Sequence, residues 1–368
     1  MIYLDNAATT PICDAAKKAI IEHLDDFGNP SSSYELGYQA RMLIEDARAR
    51  IAKCINAEPD EIYFTSGGSE ANTWALMGSK FLTSNIEHHS IRVTRFNFLV
   101  DTFGLADPNY IQQEIEDWRE PNFNRRPFDI VTCMAVNNEI GVIQPIKEIA
   151  QVTHNNKMWF HTDAVQAVGH IPIDIKDINC DTLSASGHKF GAPKGVGFLY
   201  AKDNTVPALY PLIYGGKQER SVRGGTENVL GIIAMAAALE DAIEHMEWRN
   251  EHIKKLSSRL LVELLSIDGV YLNGSFEHRV NSNINVRIDG VKGEDVVSMC
   301  DQYGVCISAG SACNEGIATP SHVLKSIGLT DKEALSSIRI TLGHQNTVEE
   351  IDKASKVIKD VITILRKY

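Results

Sequence analysis

Short apolar segments of strand character alternate with segments of helical periodicity over the first two thirds of the chain, and this alternation is the strongest constraint on its fold. One helical segment runs over residues 36–55, where apolar residues recur every three or four positions. Strands separated by helices are typical of βαβ units, in which the strands run parallel. The sequence therefore predicts an α/β protein with a mostly parallel sheet, whose strands lie over residues 61–65, 128–136, 158–163, 182–186 and 196–201.

The pattern changes from residue 250 onward. A long helical stretch over 250–265 is followed by the polar break Asn273-Gly274-Ser275 and then by an alternating run over 283–288. This order favours a second, smaller α+β domain. Near the end of the chain, Thr347 followed by Glu350 forms a capping-box pattern, which predicts a final helix that begins after Thr347.

Charge and hydropathy exclude several classes of partner. A formal net charge of −12, without a long run of Lys and Arg, argues against a nucleic acid as a direct ligand. No apolar run approaches the roughly 20 residues of a membrane-spanning helix, and the first residues lack the basic and apolar regions of a secretory signal. We therefore expect a cytoplasmic protein that binds neither nucleic acid nor a membrane.

Seven cysteines are scattered along the chain without a C-x-x-C pair, so they indicate neither a zinc site nor a dithiol redox centre. Most stand among apolar residues, where a free cysteine is usually a small buried hydrophobe. Cys313 differs because it stands in the stretch 308–316, which is rich in glycine and other small residues. Such a stretch is typical of an accessible, mobile loop, so Cys313 is the predicted nucleophile.

Two residues with suitable chemistry follow successive predicted strands. Lys189 stands directly after strand 182–186, where burial lowers the pKa of an amine and frees it for Schiff-base chemistry. Asp163 ends the preceding strand, at the edge where open α/β sheets bind ligands. Each has an ordinary alternative, Lys189 as a surface lysine and Asp163 as a helix N-cap. Their positions on neighbouring strand ends favour a joint role at one site.

Residues 64–72 have the pattern of a strand that runs through Gly67 and Gly68 into a helix. Such a turn directs backbone N–H groups and the positive end of the helix toward an anion, and the Ser69 hydroxyl adds a donor. The segment lacks the lysine of a P-loop and the spacing of a dinucleotide fingerprint, so a single phosphate group is the predicted ligand. An ordinary capped turn is the alternative.

Two further residues are candidates for contacts with a ring and with a carboxylate. His88 is flat enough to stack on a cofactor ring and can transfer protons, although a core or exposed histidine has the same sequence signature. We reject a metal site, because His88 and His89 have no third ligand at a recognisable spacing. Arg339 begins a short strand-like run, and its planar fork suits a substrate carboxylate; a surface salt bridge is the alternative.

Together these motifs resemble the NifS/IscS family of cysteine desulfurases, which are fold-type I enzymes that use pyridoxal 5'-phosphate and are similar to class-V aminotransferases. The lysine motif and the cysteine motif, in this order, are highly specific. The resemblance extends over nearly the whole chain through YLDNAATT (3–10), TSGGSE (65–70), VNNEIG (136–141), DAVQ (163–166), SGHK (186–189), RGGTEN (223–228) and GSAC (310–313).

The resemblance implies a role for each matched residue. Covalent attachment of the cofactor falls to Lys189, sulfur transfer to Cys313 and proton exchange at the substrate to His88. Substrate contacts fall to Asn138 and Arg339, with Arg339 on the carboxylate. The implied cofactor contacts are Gly68, Ser69, His88, Asn138, Asp163, Gln166, Ser186, His188, Lys189 and Thr226.

For some of these residues the resemblance implies which part of the cofactor they contact. The resemblance implies that Asp163 pairs with the pyridine nitrogen, that Gln166 hydrogen-bonds the ring hydroxyl and that His88 stacks on the ring. The phosphate is held by glycine, serine and histidine groups, with Thr226 reaching in from a second subunit. A residue contributed across subunits implies a homodimer.

The family fold implies a large domain with a seven-stranded, mostly parallel sheet between helices, together with a smaller α+β domain. In this chain the large domain is expected over residues 14–249. The small domain is expected to combine residues 1–13 with residues 250–368 and to carry the Cys313 loop.

The implied reaction converts L-cysteine to L-alanine. Lys189 is displaced by the substrate amine and then removes the α-proton, after which the Cys313 thiolate attacks the substrate sulfur and becomes a persulfide. A sulfur-acceptor protein, either an iron–sulfur scaffold or a tRNA-thiolation enzyme, is the expected partner. Residues 313–320 resemble the longer loop of the NifS/IscS branch rather than the short loop of the SufS branch.

The sequence leaves the sulfur acceptor undecided and allows two alternative functions. The chain ends at Tyr368 directly after its predicted last helix, without the tail with which some relatives engage an iron–sulfur scaffold, so the acceptor is undecided. A selenocysteine lyase or a related lyase shares the cofactor residues, although Cys313 favours a desulfurase. The last alternative is a protein that binds the cofactor and carries sulfur without turnover. Such a carrier has no chemical need for Lys189, Asp163, His88, Cys313 and Arg339 together.

Overall fold

The structure is a computed structural model that describes residues 1–91, 96–118, 128–202, 210–309, 311–314 and 317–367. For residues 311–314, 317 and 318 it describes the backbone alone. The strands in these ranges are β1 (Ile2–Tyr3), β2 (Ile62–Thr65), β3 (Phe81–Ser84), β4 (Asn97–Phe98), β5 (Ile130–Thr132), β6 (Trp159–Asp163), β7 (Thr182–Ser186), β8 (Gly197–Ala201), β9 (Val270–Leu272), β10 (Asn283–Ile288), β11 (Val305–Cys306), β12 (Ser308–Ala309), β13 (Ser311–Asn314), β14 (Ile317–Pro320) and β15 (Ser337–Thr341).

The α-helices of the same ranges fall between and after these strands. In chain order they are α1 (Asp14–Glu22), α2 (Glu35–Cys54), α3 (Gly68–Leu76), α4 (Pro108–Asp117), α5 (Ile146–Asn155), α6 (Ile175–Ile178), α7 (Val229–Glu244), α8 (Met246–Leu265), α9 (Gly293–Gln302), α10 (His322–Ser326), α11 (Asp331–Leu335) and α12 (Val348–Leu365).

Seven strands form the main sheet, in the order β2-β8-β7-β6-β5-β3-β4. The neighbours from β7 to β4 run parallel, while β8 runs antiparallel to both β2 and β7. The predicted α/β class with a mostly parallel seven-stranded sheet is confirmed. The pattern of short apolar runs had marked five of these strands, and β3 and β4 were not predicted.

The central strands of this sheet are covered on both sides, which explains their almost continuous apolar sequences. Leu183, Ala185 and Phe198 are fully buried in a core that also contains apolar residues of α2, α5 and α7. Since parallel neighbours align their carboxyl ends, β6 and β7 deliver Asp163 and the residues after Ser186 to the same edge. That edge is where the site lies.

A second sheet of four antiparallel strands has the order β12-β15-β10-β9. Its core includes Leu260 of α8 and Ile358 of α12, together with Ile2 and Leu4 from the start of the chain. The start of the chain joins this core because β1 pairs in parallel with β11. The domain boundaries expected after residues 13 and 249 stay predictions.

The predicted ends of the helices can be compared with the structure. The C-terminal helix α12 is capped by Thr347, whose side chain accepts from Glu350 N while the Glu350 carboxylate accepts from Thr347 N, so the capping box is confirmed. Helix α8 begins at Met246, four residues before the predicted start. Within the described ranges, no helix combines the length and the apolar character that crossing a membrane requires.

The stretch that carries Cys313 has a backbone pattern that differs from the predicted loop. Strands β13 and β14 pair antiparallel, with Cys313 opposite Ala318. Helix α10 follows at once, with Ser321 as its N-cap. Cys313 therefore lies on a hairpin strand, while its side chain lies outside the described part of the structure.

Candidate active site

A cavity of about 220 Å³ opens at the carboxyl ends of β6 and β7. A larger neighbouring cleft of about 380 Å³ shares Lys189 with it but includes neither Asp163 nor His88, so the smaller cavity is the better candidate. Ten of the twelve predicted site residues line the smaller cavity. Its lining consists of Ala7, Ala8, Gly68, Ser69, Asn72, His88, Met134, Asn138, Asp163, Val165, Gln166, Ser186, His188, Lys189 and Arg339.

Lys189 ends a short 3₁₀ turn that follows β7 directly. Its Nζ donates hydrogen bonds to the carbonyl oxygens of Ala7 at 2.6 Å and Ala8 at 2.8 Å. Burial, followed by the positive charge of Arg339, lowers the pKa of Lys189 to about 8. A nucleophilic neutral amine is thus accessible near neutral pH, which favours the reactive reading over a surface lysine.

Asp163 is 3% exposed at the end of β6. Its Oδ2 accepts from Asn72 Nδ2 at 2.7 Å, and its Oδ1 accepts from the backbone N–H of Val165 at 3.0 Å. Burial raises the pKa of this carboxyl, while the two hydrogen bonds oppose the shift. The contact with Val165 resembles that of an N-cap, but turns rather than a helix follow Asp163. The carboxyl therefore remains available to the cavity.

Asn72 is a cavity residue to which the sequence pattern assigned no role. Its amide nitrogen also donates to Ser90 Oγ at 2.9 Å, and its Oδ1 lies 3.1 Å from His161 Nε2. Burial lowers the pKa of His161 to about 3, so this histidine is neutral. Asn72 stands one helical turn after Gly68 and hence on the cavity face of α3, and this i, i+4 spacing was the available signal.

Two glycines at the amino end of α3 allow its backbone to lie close to the cavity. Gly67 has φ +153°, and a Cβ added to Gly68 would lie 2.5 Å from Val165 Cγ2. Ser69 and Ser186 line the same cavity. A helix N-terminus with backbone N–H groups and hydroxyls is an anion site in physical terms.

His188 lies beside this end of the cavity, and its Nδ1 lies 3.1 Å from Thr9 Oγ1. Burial and the neighbouring Lys189 lower the pKa of His188 to about 4. The imidazole is therefore neutral at physiological pH and can act as a hydrogen-bond donor without adding charge.

His88 also lines the cavity, and its Nδ1 lies 2.8 Å from Ser90 Oγ. Burial lowers the pKa of His88, so its neutral form is favoured. The preceding residue, Glu87, is fully buried, and burial raises its pKa to about 8. Glu87 Oε1 accepts from Ser84 Oγ and from Met134 N. Sequence reasoning missed Glu87, because a charged residue beside a histidine carries no sign of its burial.

Arg339 projects from β15 and bridges two parts of the site. Its Nη1 donates to the Asn138 carbonyl at 3.0 Å and its Nη2 to Asp5 Oδ1 at 2.8 Å. The Arg339 Nε is buried and has no hydrogen-bond partner within the part of the chain that the structure describes. The ion pair with Asp5 is largely buried rather than on the surface, and Arg339 also lines the cavity, where a guanidinium suits a carboxylate ligand.

Gln166 and the first motif of the chain also meet at the cavity. The side-chain amide of Gln166 donates to the Ala7 carbonyl at 2.9 Å. The Ala7 carbonyl thus accepts from both Gln166 and Lys189, and the Ala8 carbonyl accepts from Lys189. The segment 3–10 is therefore a structural part of the site.

Two predicted residues lie outside the cavity. Thr226 is exposed and is not a lining residue. The Cys313 side chain is outside the described part, but the exit of its hairpin contacts residues next to the cavity lining. Ser321 Oγ donates to Glu139 Oε2, and Glu139 follows the lining residue Asn138; His322 Nε2 lies 2.9 Å from the carbonyl of Glu87, which precedes the lining residue His88. Among the other cysteines, Cys133, Cys180 and Cys300 are buried, and burial raises the pKa of each thiol.

Comparison with known proteins gives consistent results. A family model described as aminotransferase class-V matches residues 2–354. A protein named cysteine desulfurase IscS from Methanosarcina thermophila is 40% identical over 385 residues, which cover 99% of this chain and 93% of the relative.

Solved structures agree with the sequence matches. A NifS-like protein from Rickettsia africae ESF-5 superposes with a TM-score of 0.89 at 33% identity, covering 98% of this chain and 99% of that chain. A structure described as SspA in complex with cysteine superposes with a TM-score of 0.79 at 32% identity, covering 94% and 100%. The matched family segment includes every residue that lines the cavity.

Proposed function

The chain belongs to the cysteine desulfurases of the class-V aminotransferase family, and from this premise we propose that it converts L-cysteine to L-alanine with pyridoxal 5'-phosphate and transfers the sulfur to Cys313. The observation that carries the proposal is the common cavity of Lys189, Asp163, His88 and Arg339. It combines an amine of lowered pKa, a buried carboxyl, a neutral imidazole and a guanidinium.

The residues present fit this cofactor. Gly68 lies at a helix N-terminus, which is suited to a phosphate, and a Cβ at this position would collide with Val165. The buried Asp163 carboxyl suits a protonated ring nitrogen, and Lys189 suits covalent attachment of an aldehyde. When bound, pyridoxal phosphate supplies an electron sink for negative charge at the substrate Cα.

The roles of the protein groups follow from their surroundings. Lys189 Nζ accepts the α-proton of the substrate, which its lowered pKa permits near neutral pH. Arg339, which lines the cavity, binds the substrate carboxylate through its guanidinium. His88, held by Ser90, exchanges protons with the substrate.

The sulfur step is balanced without a further redox partner. The Cβ–S bond of L-cysteine breaks, an S–S bond to Cys313 Sγ forms, and the carbon skeleton leaves as L-alanine with the same number of hydrogens. The related structure described as SspA in complex with cysteine supports cysteine as the ligand. The persulfide then passes to an acceptor protein, for which an iron–sulfur scaffold and a tRNA-thiolation enzyme are the candidates.

A homodimer is part of the proposal. Thr226 is exposed in its own subunit and does not line its own cavity. A second copy that receives Thr226 at its phosphate end would complete the set of contacts. The cytoplasmic location stays a prediction.

The test is a product assay on purified protein with L-cysteine and a thiol reductant, in which alanine and sulfide are measured together. We expect equal amounts of the two products. Lys189→Ala should lower the rate about 100- to 10,000-fold, because it removes the proton-transferring amine. Cys313→Ala should remove the protein-bound persulfide, which mass spectrometry detects.

Two controls separate the proposal from a lyase and from a carrier without turnover. Wild-type protein should be yellow and should bleach with borohydride, whereas Lys189→Ala should not be fixed by borohydride. Formation of alanine by Cys313→Ala at the wild-type rate would contradict sulfur transfer and favour a lyase. A yellow wild-type protein that produces no alanine would favour the carrier.

A further inference from the structure

The segment before Thr226 has an unusual backbone. Glu219, Arg220 and Ser221 have φ values of 41°, 57° and 69°, so three consecutive residues with a Cβ adopt left-handed conformations. Elsewhere in the described ranges, residues other than glycine with positive φ occur singly. A run of this kind is costly for L-residues and persists only where surrounding contacts hold it. We call residues 218–221 the left-handed turn.

A buried ion pair holds the left-handed turn. Glu219 is 5% exposed, and its two carboxylate oxygens accept from Nη1 and Nη2 of Arg48 at 2.9 Å each. Glu219 Oε2 also accepts from the backbone N–H of Phe64 at 2.9 Å. Arg48 in turn donates to the Ile62 carbonyl at 2.8 Å. The turn is therefore fastened to α2 and to β2, the strand that leads into Gly67 and Gly68.

The residues that follow the left-handed turn in the chain are held against the amino end of α3, where the phosphate site is proposed. Arg223 Nε and Nη2 donate to the two carboxylate oxygens of Glu70 at 2.9 and 3.2 Å. Glu70 lies in the first turn of α3 and also accepts from Ser66 N at 2.7 Å. Gly224 packs directly on Gly215, where an added Cβ would lie 2.5 Å from the Gly215 Cα. The path from the left-handed turn to Thr226 is thus held at Glu219, Arg223 and Gly224.

A purely stabilising role explains this arrangement poorly. Replacing a buried ion pair by apolar residues is often neutral or stabilising, because the charges lose their hydration on folding. Three left-handed residues add a further cost. Geometry that costs free energy in this way is a feature of functional positioning.

We infer that the Arg48–Glu219 ion pair is a positioning device, which holds the left-handed turn so that Thr226 is presented to the phosphate site of a second copy of the chain. Arg48 and Glu219 do not line the cavity, so they act through Thr226 rather than on the cofactor. The inference rests on the proposed homodimer and on the proposed role of Thr226.

The experiment titrates cofactor-free protein with pyridoxal 5'-phosphate and measures the dissociation constant, with the dimer followed by sedimentation. Arg48→Met removes the ion pair but keeps an unbranched side chain in place of the aliphatic part of arginine, and we expect a dissociation constant raised about tenfold, the equivalent of one charged hydrogen bond. The control in the same helix is Arg50→Met, at an ion pair that is more exposed than that of Arg48. Arg50 lies in the same helix and pairs with Glu240 of α7, so its loss should leave the constant unchanged.

Two combinations separate positioning from general destabilisation. In a Thr226→Ala background, Arg48→Met should add little, because the group it positions is already absent. Adding Ser221→Gly to Arg48→Met should restore part of the affinity, because glycine adopts positive φ without strain. Glu219→Gln, which keeps the shape of the side chain, repeats the test if Arg48→Met fails to fold.

The outcomes are distinct. Equal loss in Arg48→Met and Arg50→Met, or fully additive losses with Thr226→Ala, would overturn the inference. Unchanged affinity in Arg48→Met and Glu219→Gln would overturn it as well. Failure of the proposed function would instead be seen as absence of alanine from wild-type protein.

Discussion

Two regions of the molecule are held in different ways: the part of the cavity formed by Asp163 and Lys189, and the hairpin that carries Cys313. Asp163 and Lys189 stand at the ends of central strands, and each makes two hydrogen bonds to other parts of the cavity. Where the hairpin β13–β14 leaves for α10, Ser321 and His322 contact Glu139 and Glu87, which are sequence neighbours of lining residues. The groups proposed for cofactor chemistry are thus fixed by the core, whereas the proposed sulfur acceptor lies on a separate element.

This comparison predicts two classes of effect. Changes at the strand ends should reduce every step, since they alter the site at which the cofactor and substrate are bound. Changes at the hairpin exit should reduce sulfur transfer while binding of the cofactor persists.

After the loss expected for Lys189→Ala, the largest effect is expected at Asp163. Asp163→Asn keeps the size and the contact with Val165 but removes the negative charge, so turnover should fall about 100- to 1000-fold, the range for loss of one preorganised electrostatic contact. Alanine release is the measurement. The control is Asp181→Asn, which also removes a buried carboxylate that accepts from Phe160 N and His154. Similar losses of turnover per folded molecule in both variants would contradict the assignment.

The second effect is a pH dependence at Lys189. Because the pKa of Lys189 is lowered to about 8, its neutral fraction falls about tenfold for each pH unit below 8. Capture of pyridoxal phosphate by cofactor-free protein should therefore speed up as pH rises to about 8 and level off above it. Stopped-flow absorbance measures this rate. A rate that continues to rise toward pH 10 would show an ordinary lysine.

The third effect concerns the hairpin. Ser321→Ala removes the contact with Glu139 as well as the N-cap of α10, and formation of the Cys313 persulfide should slow roughly fivefold, within the range for loss of a cap or a hydrogen bond. Mass spectrometry of single turnovers measures the persulfide.

The matched control for the hairpin is Thr330→Ala. Thr330 caps the next helix, α11, in the same way, and its contacts lie within that cap. Cofactor affinity should be unchanged in both variants. Equal slowing by the two changes would mean that general stability, rather than the hairpin exit, controls sulfur transfer.

The smallest effect on turnover is expected at Glu87. Burial raises its pKa to about 8, so Glu87→Gln imitates the neutral form present at pH 7 and should change activity less than about twofold. Stability should respond more clearly. A carboxyl with a raised pKa contributes stability below its unfolded pKa, and this contribution is lost as pH rises through about 8.

Urea unfolding from pH 5 to pH 9 checks this prediction. Wild-type stability relative to Glu87→Gln should decline across this range. A constant difference would show that Glu87 does not take up a proton on folding.

Local patterns were sufficient for much of the molecule. The strand ends at Asp163 and Ser186 and the capping box at Thr347 lie where the sequence predicted them. Periodicity and capping depend on residues within one or two turns of each other, so a chain segment carries their signal by itself. Strands β3 and β4 were not predicted, and length is not the reason for β3, which is as long as β2 and longer than β5.

Contacts between distant segments were not predictable in the same way. Asn72 meets Asp163 across 91 positions, Asp5 meets Arg339 across 334, and Glu87 has its charge suppressed by burial that no neighbouring residue reveals. The left-handed turn at Glu219 depends on Arg48, which is 171 positions away.

The sequence by itself determined the α/β class, the order of the main strands and helices and the chemical types gathered at the strand ends, because these follow from short-range periodicity and from motifs. The tertiary structure decided which of those groups are buried, which are paired and which donors remain unmatched. Local dielectric and interatomic distance determine the pKa of Lys189, the partners of Asp163 and the ion pair that holds the left-handed turn. Both quantities are set only once remote segments have packed together.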